Sequence, residues 1–100
     1  MKMVVFDSEA SDELHSAARY YEEKQEGLAD EFMEEVEQAK ERIGRMPQAF
    51  PLHTGSDLRK CILRRFPYTI FFLEQEDRVW IAAVAHQKRR PGYWSGRQPD

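Results

Sequence analysis

The stretch Val79-Trp80-Ile81-Ala82-Ala83-Val84-Ala85-His86-Gln87-Lys88-Arg89-Arg90-Pro91-Gly92-Tyr93-Trp94 decides the fold of this chain. It begins as an unbroken apolar run, Val79 to Ala85, with charge on both sides. The run is far short of the roughly 18 residues a membrane span requires. An apolar run of this length reads as a strand in the middle of a sheet, covered on both faces. It then changes into His86, Gln87, Lys88, Arg89 and Arg90, stops at Pro91-Gly92 and ends on Tyr93-Trp94. A buried strand thus delivers an imidazole, three cations and two large aromatics to one place. Groups carried on the end of a rigid element have their geometry fixed by the scaffold. The pattern reads as an anion site, phosphate foremost, with rings available for stacking.

Working outward, two further strands precede this one. Leu58 to Phe66 is the first and Tyr68 to Gln75 the second, with Pro67 at the corner between them and Glu76-Asp77 leading into the third. Links of two or three residues require antiparallel neighbours. Side chains alternate in a strand, so Cys61 and Leu63 share one face with Arg59 and Arg65, and Lys60, Ile62 and Arg64 share the other. Cys61 and Leu63 are expected inside, which places Lys60 and Arg64 on an open face and Arg59 and Arg65 at the strand's ends.

Further upstream, Met1 to Phe6 reads as a short strand, and Asp7-Ser8 can cap a helix over about Glu9 to Glu26. Its apolar positions, Ala10, Leu14, Ala17, Ala18 and Tyr21, form one helical face. Gly27 is placed to end it. A second helix spans roughly Leu28 to Met46, with Leu28, Phe32, Val36, Ala39, Ile43 and Met46 at helical spacing. So short a break folds the two helices into an antiparallel hairpin. Pro47 and Pro51 stop the second helix, Ala49 to His53 reads as a short extended stretch, and Thr54-Gly55-Ser56-Asp57 is a turn. The expected fold is therefore α+β in two layers: an N-terminal strand, a helical hairpin, then an antiparallel β meander with the helices on one face.

One hundred residues suit one domain, residues 1–100, with a single core. An apolar share of 41% beside 33% charged residues argues against disorder. The one cysteine, Cys61, cannot form an internal disulfide. No apolar run marks a membrane span or a signal peptide, so a cytoplasmic protein is expected. The net charge of −3 hides an asymmetry: residues 1–50 carry 6 Lys/Arg against 13 Asp/Glu, and residues 51–100 carry 9 against 5. An acidic protein can still hold a polyanion when its cations gather on one face. The simpler alternative is that both halves are solvated surface, and the acidic outer faces of the helices are most simply read that way.

Lys60, Arg64, Arg65, Lys88, Arg89 and Arg90 are enough cations to hold several phosphates. Tyr93 and Trp94 suit stacking on exposed bases. His86 is the natural general acid or base, because its unperturbed pKa lies near neutrality. RNA can be cut without metal if a base activates the 2′-hydroxyl and cations stabilise the charge developing on phosphorus. No metal-ligand spacing, glycine-rich phosphate loop or nucleophile elbow is present in the sequence, so no metal or cofactor is expected. Each group has an ordinary reading as well. A histidine at a strand end is more often a structural hydrogen-bonder than a catalyst. Pro91 to Trp94 reads equally as a tail packed back over the sheet with Trp94 closing the core.

The chain also resembles a known family. Phe6, Glu13-Leu14, Tyr20-Tyr21-Glu22, Leu28-Ala29-Asp30-Glu31-Phe32, Ile43, Pro47, Phe50-Pro51, Leu63-Arg64-Arg65-Phe66-Pro67-Tyr68 and Ala83 to Trp94 follow the order seen in the RelE/ParE toxin superfamily of bacterial type II toxin–antitoxin modules. The resemblance implies a small toxin held inactive in a hetero-oligomer by a cognate antitoxin, whose extended or helical segment wraps it and covers its basic groove. RelE-like members cut mRNA at the ribosome without metal, and Arg64, Arg65, Arg89 and Tyr93 match the residue types they use, with His86 as the candidate base. ParE-like members instead poison DNA gyrase. The His86-x-x-Arg89 ending and the long helical hairpin resemble that branch more, and the several lysines of RelE-like sheets are missing. Gyrase inhibition is therefore the favoured expectation, with mRNA cleavage, or a toxin that retains only antitoxin binding, as alternatives.

Overall fold

The computed structural model describes residues 1–99. In chain order it contains β1 (Met3–Phe6), α1 (Ser8–Lys24), α2 (Leu28–Arg45), a single 3₁₀ turn (Pro47–Ala49), β2 (Arg59–Ile62), β3 (Tyr68–Glu74) and β4 (Arg78–His86). Asp7 starts α1 as expected, its carboxylate accepting the Glu9 N–H at 2.9 Å. Gly27, at φ +86°, turns the chain between the helices. Glu22 on α1 accepts the Gly27 and Ala29 N–H groups at 3.1 and 3.2 Å, so the first helix caps the second.

The four strands form one sheet in the order β1-β4-β3-β2. β2, β3 and β4 are an antiparallel meander, while β1 runs parallel to β4 at the edge. β4 is therefore central, and every residue from Val79 to Ala85 is buried. The helices cover one face, where Phe32, Val36 and Ile43 pack with Ile70, Phe72, Val79, Ile81 and Val84. On the other face Trp94 covers Phe71, Ala83 and Ala85. A register shift between Phe71 and Phe72 makes Phe71 oppose Ala83 and Phe72 oppose Ile81, leaving Ala82 as an extra residue. The bulge shifts the alternation, so Ile81 and Val84 both face the helices. Among the described residues no helix is long and apolar enough to cross a membrane.

Several boundaries differ from expectation. β2 ends at Ile62 and does not run to Phe66, because Glu35 of α2 accepts the Arg64 N–H at 2.6 Å and the Arg65 N–H at 3.3 Å. The carboxylate takes donors that a ladder would need, and residues 63–67 form a longer link than the expected corner. Cys61 and Leu63 do point inward. Phe66 follows them into an aromatic cluster, 4.8 Å from Tyr21 and 5.2 Å from Phe32 between ring centroids. The stretch after α2 is a 3₁₀ turn followed by a single bridge, Leu52 to Arg59, rather than a strand. α2 stops at Arg45, leaving Met46 62% exposed and outside the apolar stripe.

Gly44 lets α2 approach β1 closely. A Cβ there would stand 2.9 Å from the Lys2 carbonyl oxygen and 3.1 Å from Val4 Cγ2. Alanine is the better helix former by about 1 kcal/mol, but the clash is with backbone and cannot be relieved by a rotamer change. Gly44→Ala is expected to destabilise by about 1–3 kcal/mol, read as a lower urea midpoint at unchanged slope. A midpoint at or above that of the parent chain would show that β1 can move away from α2.

Candidate functional site

The site is built where β4 outlasts β1. Ala82, extruded by the bulge, offers its carbonyl, and Val84 offers its N–H to the side where a strand would continue. Glu13 of α1 accepts the Val84 N–H at 3.0 Å, and Arg97 donates to the Ala82 carbonyl at 2.8 Å. The two side chains also bind each other, Arg97 donating to both carboxylate oxygens at 3.1 and 2.9 Å. Tyr93 completes the group with a 2.7 Å hydrogen bond from its hydroxyl to Glu13. Glu13 and Arg97 are only 13% and 10% exposed, so this ion pair is shielded from water. Burial works against the charge on Glu13, but the bonds from Arg97, Tyr93 and Val84 outweigh it and hold the carboxyl below its usual range. Burial and the bond to that carboxylate hold the Tyr93 phenol well above its usual range.

Arg89 lies over the Tyr93 ring, 3.9 Å from its centroid, and 3.7 Å from the Glu13 carboxylate. It is more than half exposed and, with Lys88 and Arg90, forms a cationic turn directly after β4. Lys60 from β2 reaches the same region, lining with His86 and Arg89 a shallow depression of about 180 Å³ on the open face. His86 sits edge-on to Tyr68 at 5.1 Å, and its Nδ1 accepts the Lys88 N–H at 3.0 Å. That bond places the proton of the neutral ring on Nε2, so Nδ1 is not free to take a proton from a substrate. Trp94 is 4% exposed and stacked on Phe71 at 4.0 Å with planes 25° apart, so it fills the sheet face instead of presenting a platform for bases. His53, in the loop before β2, is 5.8 Å from the same indole.

Arg64 and Arg65 do not join this group. Their backbone is tied to Glu35, and the Arg65 side chain pairs with Glu31 at 2.6 Å on the helix side. The expected convergence of two strands therefore holds for Lys60, His86 and Arg89, and fails for the arginines of the 63–67 link. Sequence reasoning passed over Glu13 and Arg97 as site residues. The signal for Glu13 was its place three residues after Ala10 and four before Ala17, a carboxylate beside a buried stripe. Arg97 stands alone in a polar tail and carried no signal. Among the described residues no three His, Cys, Asp or Glu side chains group as a metal site.

The family model described as ParE toxin of type II toxin–antitoxin system, parDE, matches residues 4–91. Tyr93, Trp94 and Arg97 thus fall beyond the matched span. No curated protein matches the sequence. A chain of the solved chromosomal ParDE toxin–antitoxin system from P. aeruginosa superposes with a TM-score of 0.63 at 14% identity, covering 86% of this chain and 96% of that one. At that identity the likeness is one of fold.

Proposed function

The chain belongs to the ParE toxin family of type II toxin–antitoxin systems, and we propose that it arrests growth by binding DNA gyrase while a cognate antitoxin holds it in check. The observation that carries this reading is the state of the groups a metal-free nuclease would use. His86 spends Nδ1 on the Lys88 N–H, and Tyr93 spends its hydroxyl on Glu13. What remains open is a cationic surface, Lys60, Lys88, Arg89 and Arg90, suited to holding an acidic partner rather than to moving protons. Arg89 is presented on the Tyr93 ring and is the side chain most directly offered to that partner.

The second reading, ribosome-dependent mRNA cleavage, draws on Lys60, His86 and Arg89 lining one depression. Purified protein separates the two. Under the gyrase reading it inhibits supercoiling and accumulates cleaved DNA complexes, while translated mRNA stays intact. His86→Ala is expected to remain as toxic as the parent chain, and Arg89→Glu to lose about tenfold or more in inhibitory potency as a presented cation becomes repulsive. Codon-position cuts in mRNA that vanish with His86→Ala would replace the gyrase reading with the nuclease one.

A further inference from the structure

Arg89 sits on the turn after β4 and is more than half exposed, so the strand does not fix the direction of its side chain. Two contacts hold it: the Tyr93 ring, 3.9 Å from its guanidinium, and the Glu13 carboxylate at 3.7 Å. The second is longer than a hydrogen bond, so the ring is its seat. Taken alone, these groups should arrange themselves otherwise. A carboxylate shielded from water draws a neighbouring guanidinium into a two-pronged bond. Glu13 leaves Arg89 on the ring because its oxygens are already filled. Arg97 gives a donor to each of them, at 3.1 and 2.9 Å, the Tyr93 hydroxyl adds one at 2.7 Å and the Val84 N–H another at 3.0 Å. Arg97 is itself held firmly. It donates to the Ala82 carbonyl at 2.8 Å and meets the Glu9 carboxylate at 3.3 Å. Two successive turns, closed by the Ser95 N–H on the Gly92 carbonyl and the Arg97 N–H on the Trp94 carbonyl, bring it back to β4. One carboxylate thus stands between two arginines: Arg97, 10% exposed and spent on it, and Arg89, 56% exposed and left free.

We propose that Arg97 is a positioning residue for Arg89: by filling the Glu13 carboxylate it keeps Arg89 on the Tyr93 ring, open to an acidic group of the target. The inference rests on the reading above that Arg89 meets the target, and names what keeps it available. Among the described residues, Arg89 and Arg97 are the cations within 4 Å of Glu13. Without Arg97, the shielded carboxylate has Arg89 as its remaining cation, and Arg89 slides off the ring to answer it. A guanidinium bound to a carboxylate of its own chain is neutralised toward a partner, so target binding falls although Arg89 is still present. A residue that merely pinned the tail would act differently. Its loss would lower activity only in step with the folded fraction, and a second substitution at Glu13 would make matters worse. Under the positioning role, removing the Glu13 charge as well releases Arg89 and restores activity.

The test compares the full parent chain with Arg97→Gln and with Arg97→Gln joined to Glu13→Gln, each first shown to be folded by circular dichroism. Arrest of growth at matched expression reads potency whatever the target. NMR of the arginine side chains reads Arg89 directly. In Arg97→Gln the Arg89 guanidinium protons should exchange about tenfold or more slowly than in the parent, as they bond to Glu13. Potency should fall by about tenfold or more. In the double variant Arg89 should exchange as in the parent chain, and most of the lost potency should return. Should Arg97→Gln not fold, Arg97→Lys, which keeps the charge without the fork, should shift both readouts in the same direction by a smaller factor. Parent-like exchange of Arg89 in the folded single variant, or a double variant no more potent than the single one, would overturn the positioning role. An Arg89→Glu chain as toxic as its parent would instead overturn the reading that Arg89 meets the target, and the exchange of Arg89 would still decide whether Arg97 positions it.

Discussion

Glu13→Ala is expected to lower the unfolding free energy by about 3–5 kcal/mol, because it removes one member of a shielded ion pair and strands the rest. The carboxylate receives the Val84 N–H, the Tyr93 hydroxyl and two donors from Arg97. Without it, Arg97 remains nearly buried and keeps only the Ala82 carbonyl and the exposed Glu9 carboxylate at 3.3 Å. Glu13→Gln keeps one acceptor and should lose less. The same carboxylate makes stability depend on pH. Its folded pKa lies below the ordinary 4.5, so its contribution is complete above that value and drains away as pH falls through the folded pKa. Urea titrations from about pH 6 to about pH 3 should show the parent chain losing stability more steeply than Glu13→Gln. A Glu13→Ala chain within about 1 kcal/mol of its parent would mean that the tail is held by packing alone.

Most of the architecture was legible because periodicity is a local property. The helical spacing of Leu14, Ala17 and Tyr21, and of Phe32, Val36 and Ile43, reports burial directly. The apolar run of β4 likewise announced a strand covered on both sides, by the helices on one face and Trp94 on the other. The failures lie where a distant side chain overrides local pattern. Arg64 alternates correctly with Lys60 and Ile62, yet Glu35, 29 residues away in sequence, takes its N–H and bends it out of the strand. No local pattern contains that capture.

The site was legible in kind but not in assembly. His86, Arg89 and Tyr93 were singled out from their clustering, and they do stand together at the end of β4. Their chemistry is set by groups the pattern could not assign to them: Glu13 fixes Tyr93, and the Lys88 N–H occupies His86. The bulge at Ala82 is equally invisible in sequence, since a run of alanines gives no sign of which one is extruded. That bulge frees the carbonyl that Arg97 binds.

Trp94→Ala is expected to be the other severe substitution, at about 3–5 kcal/mol for emptying a buried indole site, with the stack on Phe71 adding about 0.5–1.5 kcal/mol. Its ring is the cover of the open sheet face, in contact with Phe71, Tyr93 and His53. Removing it exposes Phe71, Ala83 and Ala85, leaving Leu58, Tyr93 and the His53 ring, 5.2 Å from Phe71, as partial cover. Trp94→Phe keeps a stacking ring and should lose less. Circular dichroism is the better probe of unfolding, because Trp80 also contributes fluorescence. The outcome separates two roles that the sequence allowed. A stacking platform for bases would leave the urea midpoint where it was and weaken only target binding. A cover for the core must lose stability first, and toxicity should then fall in step with the folded fraction, because the strap that carries Tyr93 beneath Arg89 is anchored through this indole. An unchanged midpoint with toxicity abolished would move Trp94 out of the core and into the target interface.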